Sequence, residues 1–154
     1  MPGARDKLEP DEKVVAELRD RDRAAALAEI RRLSQWYADD SDAAFDDLGS
    51  ASDNELVGRP EILEPLRRWM REGARQGSAG YEADWIAEWG PWGFSVADIV
   101  PDAYVWWGDA DALVGRSHTD YLAKTLQRST VMTYPGEGHL FPVNHWAEML
   151  GALR

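Results

Sequence analysis

The chain has 154 residues, with 17 Lys and Arg against 28 Asp and Glu, which gives a formal net charge of −11. This acidic balance argues against nucleic acid or an anionic membrane as the main partner, because both attract basic surfaces. With 44% hydrophobic residues and no cysteine, the composition predicts one folded domain over residues 1–154 and excludes disulfides, thiolate metal sites and cysteine nucleophiles.

The sequence shows neither a targeting signal nor a membrane segment. Residues 1–7 run into charged side chains where a signal peptide would turn apolar. The chain also lacks a continuous apolar stretch of about 18 residues, the length that a membrane-spanning helix needs. We therefore expect a cytoplasmic protein.

The first half of the chain predicts helices. Apolar residues recur at helical spacing from Asp11 onward, and Asp20 or Asp22 is placed to cap a second helix. Pro60 fits the first turn of a third helix, which should end within residues 73–77.

Two segments of this chain predict loops. Residues 39–58 are rich in Asp, Ser and Gly, which favours a loop with one short helical turn at most. Residues 77–102 combine glycine and proline with tryptophans, which indicates a loop or a short helix held by aromatic packing.

The last third of the chain has an α/β pattern. Residues 103–107 are a short apolar run that predicts a buried strand, and residues 130–134 are a second strand candidate. Residues 117–126 predict a helix between the two strands, and residues 143–153 predict a final helix. A strand, helix and strand within about 30 residues form a parallel βαβ unit. The predicted fold is therefore α/β, with a helical part over 11–76 and an α/β part over 77–154.

Chemically useful side chains follow both predicted strands. Asp109 and Asp111 come after the first strand, and His139 comes after the second. Neighbouring parallel strands lie about 4.8 Å apart and end at the same edge of the sheet, so the acid and the imidazole can meet. Asp111 would then accept the proton of one ring nitrogen of His139 and leave the other nitrogen as a general base.

Two alternatives stay open for these side chains. Asp is among the commonest turn-forming residues, so either aspartate can serve a structural role alone. Carboxylates and imidazoles also bind Zn²⁺ or Mn²⁺, although the spacing contains no His-x-x-x-His pair. Such a metal site would use Asp109, Asp111, His118, His139 and His145.

Three segments of the chain carry a family resemblance: Pro91-Trp92-Gly93-Phe94, Gly108-Asp109-Ala110-Asp111 and Tyr134-Pro135-Gly136-Glu137-Gly138-His139. Together they resemble the C-terminal part of α/β-hydrolase fold proteins. The resemblance covers residues 77–151, and the helices before it resemble the cap of that family. It implies a partial α/β-hydrolase fold of cap and last two strands. It also implies that Asp111 is the catalytic acid and His139 the catalytic histidine of a serine-type hydrolase acting on esters or amides, without cofactor or metal.

The chain departs from that family in several respects. The family places its serine in a Gly-x-Ser-x-Gly turn before the acid, and the nearest pattern here, Gly77-Ser78-Ala79-Gly80, is one residue short and follows a helix. Gly115 stands where the family often has proline, and Trp107 where it often has histidine. The resemblance therefore implies a chain that is inactive alone.

The predicted sheet also needs a partner. A two-stranded parallel sheet leaves apolar strand edges open, and soluble proteins avoid such edges. We therefore expect self-association or a partner chain that supplies strands. The alternative function is a non-catalytic module for dimerisation or interaction, derived from a hydrolase.

Overall fold

The computed structural model describes residues 10–40, 43–46, 48–89 and 91–153. Over these residues the protein is mixed α/β, mostly helical, with one two-stranded parallel sheet. The helices are α1 (Pro10–Arg21), α2 (Arg23–Asp39), α3 (Ala51–Val57), α4 (Pro60–Gly73), α5 (Ala79–Trp89), α6 (Arg116–Thr125) and α7 (Pro142–Gly151). The strands are β1 (Ala103–Gly108) and β2 (Ser129–Tyr134).

Contacts group the described residues into two compact units. The first unit contains the described residues up to 46 and residues 61–94, and the second contains residues 48–60 and 95–153. Residues 48–60 thus group with the C-terminal part, although their position in the sequence falls in the predicted helical part. The prediction of a single domain stays a prediction, because this grouping does not measure whether the units fold separately.

The first unit is built on the pairing of α1 with α2. Val15 from α1 packs with Ile30 and Leu33 from α2, and all three side chains are buried. Leu27 and Trp85 cover this cluster as partly buried neighbours. The apolar spacing on each helix places these residues on one face, so their burial follows from helical periodicity.

The connection between α1 and α2 is a helix cap. Asp22 has an extended backbone conformation, and its carboxylate accepts hydrogen bonds from the backbone N–H groups of Ala24 and Ala25, at 3.0 and 3.1 Å. These are N–H groups that the new helix leaves without an internal partner. The predicted cap at Asp20 or Asp22 is confirmed at Asp22.

The second unit contains the sheet. β1 and β2 pair in parallel from Ala103 opposite Ser129 to Gly108 opposite Tyr134, with α6 between them along the chain. The predicted strand, helix and strand are confirmed, as is the final helix.

Two predicted loops are wrong in part. Residues 39–58 include α3, which buries Leu56 and Val57, besides the short 3-10 turn Ala43–Phe45. The sequence Ser50-Ala51-Ser52-Asp53 before that apolar pair is a helix-start pattern that the Asp, Ser and Gly content obscured. Residues 79–89 form a full helix, α5, where the sequence predicted a loop or a short helix. Among the described helices, none is both long enough and apolar enough to cross a membrane.

Ile30→Ala should destabilise the first unit by about 2–5 kcal/mol, and Ile30→Val by about 0.5–1.5 kcal/mol, because the side chain is fully buried and its removal leaves a cavity. Urea unfolding followed by circular dichroism measures both changes. Trp69→Ala is the control, since Trp69 is 69% exposed and its loss should change the free energy of unfolding by no more than about 0.5 kcal/mol. An Ile30→Ala protein as stable as this control would contradict the assigned core.

Candidate active site

The turns that follow β1 and β2 are joined by backbone hydrogen bonds beyond the ends of the strands. The N–H of Asp109 donates to the carbonyl of Tyr134 at 3.1 Å, and the N–H of Ala110 donates to the carbonyl of Glu137 at 2.9 Å. A Cβ on Gly108 would collide with the backbone carbonyls of Glu137 and Gly138. Glycine at 108 therefore lets the two turns approach closely.

Asp109 joins the same two turns through its side chain. Its Oδ1 accepts a hydrogen bond of 2.6 Å from the backbone N–H of Gly136, which has a φ of 75° that favours glycine. The role of Asp109 in the structure is thus the turn-stabilising one, which the sequence left as an alternative.

Asp111 uses both of its carboxylate oxygens. Oδ1 accepts from the backbone N–H groups of Leu113 and Val114 at 2.9 and 2.8 Å, which closes a turn of the kind that aspartate favours. Oδ2 lies 3.1 Å from Nδ1 of His139. The side chain of Asp111 is only 4% exposed, so its position is fixed by the turn that carries it.

Trp107 supports this turn from the end of β1. Its indole N–H donates to the carbonyl of Val114 at 3.2 Å, and the guanidinium of Arg116 lies 5.5 Å from the centre of its ring. The ring is buried. Trp107, which departs from the pattern of the hydrolases, thus stabilises the turn of Asp111. Gly115, the other departure, has an extended backbone and directly precedes α6.

His139 presents one ring nitrogen to Asp111 and has a partly exposed ring. A carboxylate accepts hydrogen bonds only, so the contact with Asp111 requires the proton on Nδ1. In the neutral ring, Nε2 then carries the free lone pair. The side chain is 42% exposed, and no described residue forms a hydrogen bond with Nε2. The predicted contact between acid and imidazole is present, and its geometry suits a general base.

The two groups shift each other's pKa. The hydrogen bond and the charge of Asp111 raise the pKa of His139 above its ordinary value, against the opposing effect of burial, and the charge of Asp53 adds to the increase. Burial raises the pKa of Asp111, but the hydrogen bonds from His139, Val114 and Leu113 outweigh it, so this pKa lies below its usual range. The contact with Asp111 therefore stabilises the imidazolium of His139 relative to a histidine without this partner.

Asp53 is a residue of this site that the sequence analysis missed. It lies in the first turn of α3 and is fully buried. Its Oδ2 accepts from the backbone N–H of His139 and its Oδ1 from that of Leu140, both at 2.7 Å. The pattern around Ser50 indicates a helix start, but nothing local in the sequence connects residue 53 with residue 139.

The five candidate metal ligands do not converge. His145 contacts Glu137 at 2.9 Å and Glu148 at 3.4 Å, and its hydrogen bond to the carboxylate of Glu137 is the main cause that raises its pKa. His118 is exposed on α6. In the part of the chain that the structure describes, no group of three or more His, Asp or Glu side chains is arranged to hold a metal ion.

Four serines that lie outside any Gly-x-Ser-x-Gly turn have structural partners. Ser50 and Ser52 share a hydrogen bond of 2.9 Å between their hydroxyl groups, and Ser78 donates to Glu82 at 2.9 Å. Ser95 accepts from the backbone N–H of Ala97 at the start of a 3-10 turn. None of these four hydroxyls forms a hydrogen bond with His139.

Stability should depend on pH through the pair of Asp111 and His139. Because the pKa of folded His139 is raised, its contribution is complete below the unfolded value of about 6.5 and is lost as pH rises through the folded pKa. Because the pKa of Asp111 is lowered, its contribution is present above its unfolded value and is lost as pH falls through the folded pKa. The pair should therefore stabilise the protein most in mildly acidic solution.

Asp111→Asn should lower the pKa of His139, measured from its imidazole resonances by NMR, because the variant loses the carboxylate charge. The free energy of unfolding should then vary less between pH 5 and pH 8, a range of about three pH units around the ordinary histidine pKa. Asp102→Asn is the matched control, since Asp102 forms a surface ion pair with Arg128. The same shift in both variants would contradict a specific pair.

Comparison of the chain with protein-family models, with curated proteins and with solved structures finds no match. The arguments for function therefore come from the residues themselves. They are the paired Asp111 and His139, the free Nε2 of the imidazole, and the buried carboxylate of Asp53 beneath the histidine main chain.

Proposed function

We propose that Asp111 and His139 are the acid–base half of a serine-hydrolase type of site that acts on esters or amides. The observation that carries the proposal is the 3.1 Å contact of Nδ1 with Oδ2, at the ends of two parallel strands. In such sites the acid fixes the tautomer of the histidine and stabilises the imidazolium, while Nε2 takes a proton from the nucleophile. Two observations support this division of roles: Nδ1 of His139 contacts Asp111, and the ring of His139 is partly exposed.

The arrangement along the chain also supports kinship with α/β-hydrolase fold proteins. Those proteins carry the acid after one strand and the histidine after the next, as β1 and β2 do here. A partial α/β-hydrolase fold, with residues 11–76 as a cap-like segment, accounts for this order. The family origin is part of the proposal.

The proposal assigns the nucleophile to a partner chain. The sequence contains no Gly-x-Ser-x-Gly turn, and the hydroxyls of Ser50, Ser52, Ser78 and Ser95 have other partners. Oxyanion donors and a nucleophile supply most of the rate enhancement in a triad enzyme. The chain alone should therefore lack triad catalysis and show only the slow background hydrolysis that a single general base permits.

His139→Ala should abolish the slow hydrolysis of p-nitrophenyl acetate by the purified chain, because Nε2 is the proposed base. The wild-type rate should rise with pH as His139 loses its proton, and Asp111→Asn should move that rise to lower pH. His118→Ala is the control, since this histidine is exposed on another helix and should leave the rate unchanged. Equal rates for wild type and His139→Ala would rule out the proposed base.

A second candidate function is a dimerisation module without catalysis, and the exposed apolar surface of the second unit favours it. Among the described residues, β1 pairs only with β2, so one edge of each strand has no strand partner. Val143, Trp146 and Leu150 lie on one side of α7 and are exposed. A second copy of this chain would cover such a surface, which soluble proteins seldom leave open.

Light scattering at micromolar concentration should find a dimer or larger assembly, because association buries these apolar side chains. Trp146→Glu should shift the protein toward monomer by placing a charge on this surface. Trp69→Glu makes the same change at an exposed tryptophan of α4 and should leave the assembly intact. A monodisperse wild-type monomer would contradict self-association.

A further inference from the structure

We infer that Asp53 is the positioning residue for His139. Its carboxylate fixes the main chain at residues 139 and 140, while Asp111 fixes the ring, so that the histidine is held at both ends and only Nε2 remains free. Nothing in the proposed hydrolytic pair itself requires this third carboxylate. Its relevance to catalysis rests on the proposed function, whereas its effect on the histidine does not.

The first argument is the geometry of the hydrogen bonds. Both oxygens of Asp53 accept from successive backbone N–H groups at 2.7 Å, the short distance typical of bonds to a charged acceptor. No backbone carbonyl accepts from these two N–H groups, which belong to His139 and Leu140 just before α7 begins. Without Asp53, both donors would lose their partner.

The second argument is burial. Asp53 is 0% exposed, and a buried carboxylate is unfavourable unless its oxygens are well bonded. An aspartate three residues after a helix cap ordinarily bonds back to the start of its own helix. Here the side chain of Ser50 makes no capping hydrogen bond, and both carboxylate oxygens of Asp53 accept from the histidine turn.

The third argument is the close approach at Gly138. A Cβ at this position would overlap the carboxylate of Asp53 and the hydroxyl of Ser50. Glycine at position 138 therefore leaves the space that the carboxylate of Asp53 needs to reach the main chain. The charge of Asp53 also acts on the imidazole, because it adds to the raised pKa of His139.

Asp53→Asn tests the inference. The amide oxygen can replace only one of the two acceptors, and the NH₂ group would face an N–H donor. We expect the His139 pKa, measured by NMR in the folded variant, to fall, and amide exchange at His139 and Leu140 to quicken by about tenfold or more as one bond is lost. Asp111 and Asp53 are the charged groups from neighbouring elements that act on this imidazole.

Asp109→Asn is the matched control. This substitution removes one negative charge from the same pair of turns. The Asp109 side chain, however, accepts one hydrogen bond, from the backbone N–H of Gly136, and an amide oxygen can accept that bond equally well. The His139 titration and both exchange rates should stay at their wild-type values. A folded Asp53→Asn protein that also keeps all three values would overturn the inference.

A measurement on the wild-type protein covers the case in which Asp53→Asn does not fold. That measurement is amide hydrogen exchange at His139 and Leu140, the two residues whose backbone N–H groups donate to Asp53. Both amides should exchange at least about tenfold more slowly than in an unstructured chain. Exchange at the unstructured rate would overturn the inference. Because amide exchange needs no turnover, a failed ester assay would count against the proposed function alone.

Discussion

The parallel pairing of β1 with β2 is the constraint on which the candidate site depends. The register ends with Gly108 opposite Tyr134, and the hydrogen bonds continue from there into the two following turns. That continuation requires glycine at position 108, because a side chain would meet the carbonyls of the other turn. The close approach of these two turns places the ring of His139 against Asp111.

Three aspartates then divide the work of holding these turns. Asp109 bonds the backbone of the second turn, Asp111 closes its own turn and orients the imidazole, and Asp53 holds the main chain beneath the imidazole. Each carboxylate is compensated by backbone N–H groups or by the imidazole, which explains how a chain of net charge −11 tolerates three acids around one histidine. Hydrogen bonds from backbone N–H groups stabilise the charged form of a carboxylate, as nearby basic side chains also do.

The proposed hydrolytic site would need an acid–base pair and, separately, a nucleophile with oxyanion donors. The acid and the base lie within one compact unit. The nucleophile and the oxyanion donors have no counterpart in the sequence motifs. The exposed apolar side of α7 and the open strand edges lie in the same unit as the acid and the base.

The sequence by itself determined the features that arise from local physics. Apolar periodicity located α1, α2, α4, α6 and α7, and short apolar runs between turn residues located both strands, because helical and extended chains repeat every 3.6 and 2 residues. The carboxyl ends of neighbouring parallel strands lie at the same edge of a sheet, and this rule predicted the contact between Asp111 and His139. Only the tertiary structure revealed Asp53, which lies 86 positions from His139 along the chain. Its hydrogen bonds depend on how α3 packs in the second unit, and no local pattern of residues encodes a contact between main-chain donors and a side chain so far away.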